Sequence, residues 1–214
     1  SAPSDGADKT IVFKVNHDTL TADDVVVSNG SCTTNVLAPV AKVLNDLCGI
    51  ERGYMTTVHA YTGDQPTQDT VHKDLYRARA AALSMIPTST GAANAIGRVL
   101  PELKGKLHGS SIRVPTPNVS VIDLAVSTSR EVSINEVNDA IRQTAAGAMS
   151  GVLAFTTEPL VSVDLNHRTE SSIVALPQTD VVDGRMVRVL AWYDNEWSFA
   201  TRMADTAVAM AKLI

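Results

Sequence analysis

Apolar and polar positions alternate in two rhythms along this chain. Val36, Leu37, Val40, Val43, Leu44 and Leu47 fall on one helical face. Ser, Asn, Gly and Thr over 28–35, residues that favour helix starts, open that helix, and Gly49 supplies a stop. Pro39 inside it predicts a kink. Before it, 10–15 is β-rich and predicts a strand, and the run Val25, Val26, Val27 suits a strand buried on both faces of a parallel sheet. After it, 54–61 alternates and predicts a strand carrying His59.

A polar loop follows over 62–74, and the Ala- and Arg-rich stretch 75–85 predicts helix over at least part of its length. Residues 88–91 precede a helical pattern through Ala95, Ile96, Val99 and Leu100. Strands are predicted over 111–114 and 119–127, interrupted by Pro115 and Pro117. Ser133 and Glu136 form a capping box before a helix with Ile134, Val137 and Ile141 on one face. Strands over 160–165, 172–176 and 186–193 come next, with a hairpin signal at Asp183-Gly184 between the last two. A closing helix over 199–213 places Met203, Ala207, Met210 and Ile214 on one face. Helices and strands are grouped rather than strictly alternating. The expected fold class is therefore α+β, a mixed or antiparallel sheet with helices on one face.

Composition narrows the function classes. The chain has 214 residues, 44% apolar and 19% charged, enough for a buried core. Its net charge of −5 argues against phosphate-driven nucleic-acid binding, and the absence of a basic run argues against a membrane-surface role. Cys32 and Cys48 cannot form a disulfide framework and read as reduced, cytoplasmic thiols. The start at Ser1 fits processing or a piece of something longer.

Cys32 is the sharpest chemical feature. A thiol at a helix N-terminus feels the partial positive charge of unpaired N–H groups, which favours the thiolate. Ser31, Thr33 and Thr34 surround it with hydroxyls. His59 follows one strand later, and strand–helix–strand geometry can bring it back beside the helix start. The other reading of Cys32 is a small core residue, and Cys48, at the helix end, fits that reading. Ser89, Thr90 and Gly91 before a helix make either an anion site or a simple cap. Arg113 lies in an apolar strand and needs an anionic partner. Arg77 and Arg79 suit a phosphate fork or a solvated face equally. The histidines lack metal-site spacing.

Five segments together resemble phosphorylating glyceraldehyde-3-phosphate dehydrogenase. They are Ser28-Asn-Gly-Ser-Cys-Thr-Thr-Asn35, Thr56-Thr-Val-His-Ala-Tyr-Thr-Gly-Asp-Gln65, Ser89-Thr-Gly-Ala-Ala93, Arg113-Val-Pro-Thr-Pro-Asn-Val-Ser120 and Trp192-Tyr-Asp-Asn-Glu-Trp197. No Gly-x-Gly-x-x-Gly turn of a dinucleotide-binding domain occurs. The resemblance therefore implies a catalytic part over 31–195. Residues 1–30 would be leftover strands of a Rossmann domain, expected to re-pair, swap or become mobile, and 196–214 a helix that packs on that domain. It further implies a thioester route with Cys32 as nucleophile and His59 as base. Thr62, Arg77 and Arg113 would hold the phosphate of glyceraldehyde 3-phosphate. Ser31, Thr33, Thr90 and Gly91 would hold inorganic phosphate. Asn195 would hold the nicotinamide of NAD or NADP, the rest of which the absent part would bind. A cytoplasmic homo-oligomer, poorly active as a lone part, is implied as well. Erythrose-4-phosphate dehydrogenase, a cofactor-free Cys–His acyl-transfer unit and a non-catalytic assembly fragment are the competing readings. The family usually has Gly where Lys14 and Ser198 stand, so Ser198 is expected to strain a turn if its φ is positive.

Overall fold

Ser31 ends an extended stretch and starts a helix because its Oγ accepts the Thr34 N–H at 3.0 Å. In the computed structural model, which describes residues 3–213, the elements run as follows. Short strands β1 (Lys9–Thr10) and β2 (Val27–Ser28) precede α1 (Cys32–Cys48) and β3 (Ile50–Ala60). Then come β4 (Ile86–Ser89), α2 (Ala92–Val99), β5 (Leu107–Val114) and β6 (Ser120–Thr128). After α3 (Ile134–Ala146) follow β7 (Leu153–Thr156), β8 (Ser172–Ala175), β9 (Asp180–Val182), β10 (Met186–Tyr193) and α4 (Trp197–Ala211).

Eight strands make one mixed sheet in the order β4-β5-β3-β6-β10-β8-β7, with β9 also on β10. β3 pairs with β5 in parallel and β7 with β8 in parallel, while the remaining pairs are antiparallel. The expected α+β class with a mixed sheet is what the chain adopts. α1 packs against α2 and α3 and against strands β3, β6, β8 and β10. Its Val36, Leu37, Ala38, Ala41 and Leu44 are fully buried, and burying each larger side chain contributes about 1.5–3 kcal/mol. Gly49 closes α1 at φ 68°, a conformation that suits glycine.

Several expectations change. The strand predicted over 10–15 shrinks to Lys9–Thr10, after which Ile11 and Val12 are buried just ahead of a turn. Among the described residues, β1 and β2 do pair in parallel, but only with each other. Val25 and Val26 are 80% and 54% exposed, not buried. α1 runs unbroken through Pro39. The stretch 75–85 holds only two single turns of 3-10 helix, because its backbone is drawn into loop bonds such as Ala81 N–H to the Pro66 carbonyl at 2.9 Å. The strand predicted over 160–165 is also a 3-10 turn (Ser162–Leu165), and β4, β7 and β9 appear where no strand was expected. The hairpin at Asp183-Gly184 forms, with φ 51° and 69°, and joins β9 to β10. The capping box of α3 forms as expected, although Ile134 stays 41% exposed.

In α4 the buried residues are Ser198, Arg202 and Thr206, whereas Ala207 is exposed and Met203 and Met210 are half-buried. Ile214 lies outside the described residues. Ser198 is helical and donates its Oγ hydrogen to the Asp194 carbonyl at 2.6 Å, so the expected turn strain does not arise there. The positive φ falls instead on Lys14, at 60°.

Candidate active site

The α1 start and the C-terminal end of β3 meet at one point. Cys32 Sγ lies 3.4 Å from His59 Nε2. α1 delivers the sulfur because Cys32 is its first residue, and β3 delivers the imidazole because His59 is its penultimate residue. Beside them, the parallel register of β3 and β5 sets Arg113 directly opposite His59. Arg113 Nη1 reaches His59 Nδ1 at 2.8 Å and the Ala60 carbonyl at 3.0 Å.

A cavity of about 400 Å³ opens over this group. Its walls include Ser31, Cys32, Thr33, His59, Thr90, Gly91 and Arg113. Two helix starts therefore face one space, α1 through Ser31–Thr33 and α2 through Thr90 and Gly91. Thr90 Oγ1 accepts the Ala92 N–H at 3.2 Å, while Gly91 holds the N-cap position without a side-chain cap.

Seven of the ten expected residues line this cavity. Thr62, Arg77 and Asn195 stand apart from its walls. Thr62 turns its N–H to Gln65 Oε1 at 3.0 Å. Arg77 is ion-paired to Asp64, and to Asp74 at 3.4 Å. Asn195 is buried, and its Oδ1 accepts from Ser120 Oγ at 2.9 Å. Ser120 Oγ in turn accepts the Ala60 N–H at 3.0 Å, so the backbone beside His59 is linked to Asn195.

Burial governs the electrostatics. It is the largest influence on the Cys32 thiol and pushes it up; hydrogen bonds from Thr33 and the charge of Arg113 pull it back by less. His59 is pushed down to about 4, first by burial and then by Arg113. Burial thus opposes the thiolate that the helix start and Arg113 favour.

Three residues that support the site lie within the segments quoted above but were given no role there. Tyr193 is fully buried, and its hydroxyl bonds Thr33 Oγ1 and Thr57 Oγ1, each at 2.9 Å. Ser120 links Ala60 to Asn195, as above. Asp194, fully buried, accepts from Asn118 Nδ2 and from the N–H groups of His167, Glu196 and Trp197 at 2.7–3.0 Å. The available signal was an Asp at the end of an apolar strand, just ahead of a helix.

Comparison with known proteins places these residues in a wider set. Residues 31–195 match the family described as glyceraldehyde 3-phosphate dehydrogenase, C-terminal domain. Among similar proteins, a glyceraldehyde-3-phosphate dehydrogenase of Cereibacter sphaeroides is 69% identical over 214 residues, all of this chain and 64% of that protein. One from Xanthobacter flavus is 67% identical over 213 residues, again 64% of its length. A third, glyceraldehyde-3-phosphate dehydrogenase 1 of Bacillus subtilis, is 54% identical over 99% of this chain and 64% of its own. The chain therefore spans about 64% of the length of these relatives.

Proposed function

Since the chain belongs to the glyceraldehyde 3-phosphate dehydrogenase family, we propose that it is the catalytic part of a phosphorylating aldehyde dehydrogenase acting on glyceraldehyde 3-phosphate. The observation that carries this reading is the 3.4 Å approach of Cys32 Sγ to His59 Nε2 beneath a cavity rimmed by Arg113 and the α2 start.

Cys32 attacks the aldehyde carbon while its thiol proton passes to His59 Nε2. The negative oxygen that develops lies within the field of the α1 start, where the Cys32 N–H is one of the unpaired donors. The imidazolium returns that proton to the alkoxide, which gives the hemithioacetal, and neutral His59 takes the hydroxyl proton back as the hemithioacetal is oxidised to the thioester, for which a bound nicotinamide would supply the hydride acceptor. Inorganic phosphate then attacks the thioester carbonyl, and the acyl group leaves sulfur as an acyl phosphate. Ser31, Thr33, Thr90 and Gly91 hold the attacking phosphate. Arg113 holds the substrate's phosphate together with Thr62 and Arg77, which requires Arg77 to exchange Asp64 for that anion.

Asn195 suits a nicotinamide carboxamide. Ser120 occupies its Oδ1, and its Nδ2 spends one hydrogen on Glu196 at 3.2 Å, which leaves a second donor free. NAD or NADP, when bound there, supplies the hydride acceptor for the oxidation. Residues 1–30 and 196–214 are read as the flanks that join the catalytic unit 31–195 to a dinucleotide-binding part. The exposed Val208 on α4 supports that reading. Cytoplasmic location and homo-oligomeric assembly complete the proposal.

Acyl transfer in reverse tests it without nucleotide. Acetyl phosphate should acetylate Cys32, with phosphate leaving and the thiol proton passing to His59. Intact-mass spectrometry should show one acetyl group on the chain, none on Cys32→Ser, and slower labelling of His59→Asn. An unlabelled chain whose Cys32 still reacts with iodoacetamide would refute the reading.

A further inference from the structure

Two turns beyond its N-cap Gly91, α2 brings a second arginine into the cavity. Arg98 lines the same space as Cys32, His59 and Arg113. Gly91, Asn94, Ala95 and Arg98 all border it, and steps of three, four and seven residues put them on one face of the helix. Along that face Arg98 stands about 10 Å from Gly91, at 1.5 Å of rise per residue. The tilt of helical Cα–Cβ bonds carries its long side chain back toward the helix start.

Arg98 has no part in the thioester route. Its partners come from the segment ahead of β1: Nη2 donates to Asp5 Oδ1 at 2.6 Å and Nη1 to the Ser4 carbonyl at 3.5 Å. Both side chains of the ion pair face solvent, Arg98 at 53% and Asp5 at 93% exposure. Such a pair contributes little in water. Among the described residues lining the cavity, Asp5 is the sole carboxylate, against the two guanidinium groups of Arg98 and Arg113. Asp5 therefore holds a place that an anion of higher charge can take.

Building on the function proposed above, we propose that Arg98 forms a subsite for a second phosphoryl group, so that the cavity takes a diphosphate. One phosphoryl group sits where inorganic phosphate is held, at Ser31, Thr33, Thr90 and Gly91. The next extends along the exposed face of α2, past Asn94, and takes the Arg98 guanidinium from Asp5. Paired hydrogen bonds from a guanidinium suit phosphate oxygens better than its single contact with Asp5. A diphosphate held this way covers the phosphate cradle and keeps the attacking anion out, so it competes with inorganic phosphate. No covalent bond changes; one ion pair is exchanged for another.

Calorimetric titration of the whole chain with inorganic phosphate and with inorganic pyrophosphate, at one ionic strength, tests the subsite. The wild type should bind pyrophosphate about tenfold more tightly than phosphate, the effect of one added charge-assisted contact. In Arg98→Gln that preference should fall to about twofold, while Arg98→Lys should keep part of it and Asp5→Asn should widen it. Arg142→Gln removes the same charge from the exposed face of α3, where Arg142 pairs with Asp139, and should leave the preference intact. A wild type that binds the two anions equally or not at all would overturn the subsite. So would a preference that survives in Arg98→Gln or falls as far in Arg142→Gln. The titrations need no reaction at Cys32. A chain that prefers pyrophosphate but resists acetylation by acetyl phosphate keeps the subsite and loses the functional assignment, and the opposite pattern loses the subsite alone.

Discussion

Tyr193 meets His59 edge to face, with ring centroids 5.9 Å apart and planes at 83°. One buried side chain thus sets the tilt of the imidazole and, through its hydroxyl, ties the first turn of α1 to the middle of β3. Removing that hydroxyl in Tyr193→Phe strands two buried threonine hydroxyls. The variant should lose about 1–3 kcal/mol of stability, measured by urea unfolding. Adding Thr57→Val, which removes one stranded hydroxyl, should recover part of the loss. A double variant that is less stable than the single one would show that the tyrosine acts by packing alone.

The depressed basicity of His59 makes stability depend on pH. Its folded value is about 4 against an ordinary 6.5, so the unfolded chain takes the proton first as pH falls. The contribution is complete above pH 6.5 and is lost as pH falls through about 4. That gap is worth about 3 kcal/mol at 1.36 kcal/mol per unit. Urea unfolding at pH 7 and pH 4.5 should show most of this drop in the wild type and a smaller one in His59→Asn. Parallel losses in the two proteins would assign the acid sensitivity to other groups.

Lys14 holds a left-handed backbone at φ 60°, which costs a non-glycine residue about 1–2 kcal/mol. Lys14→Gly removes that strain but adds entropy to the unfolded chain and gives up the Lys14 Nζ bond to the Ser150 carbonyl at 2.9 Å. This bond is exposed, so the net change should be a stabilisation of about 0.5 kcal/mol. A lower melting temperature for the glycine variant would mean that the Lys14 side chain outweighs its backbone.

How much of this was legible beforehand depended on how local each signal is. The α1 opening is written in consecutive residues: Ser31 caps, Cys32 follows, and Gly49 stops. The pairing of Cys32 with His59 was legible too, because a helix and the strand after it fix their own return path. Arg113 was flagged for its apolar setting, yet its alignment with His59 depends on a parallel register that no local pattern encodes. α4 was misread for a physical reason. Its buried side is polar, with Arg202 Nη1 donating to the Gly151 carbonyl at 2.8 Å and Thr206 Oγ1 to Asn29 Oδ1 at 2.9 Å. A periodicity that seeks apolar faces selects the other side. Residues 75–85 show the same limit, since helix-favouring composition yields there to bonds made with distant loop residues.

The ladder between β3 and β5 works as a ruler for the chemistry. Its eight paired positions, from Gly53 with Leu107 to Ala60 with Val114, hold guanidinium and imidazole level with each other. Neighbouring residues on a strand point to opposite faces, so slipping by a single residue would turn Arg113 away from the cavity altogether. Length changes should therefore be tolerated very unevenly. The 62–85 excursion can absorb added residues, whereas one inserted residue within Leu107–Val114 would leave the thiol without its arginine while most of the hydrophobic core stayed in place.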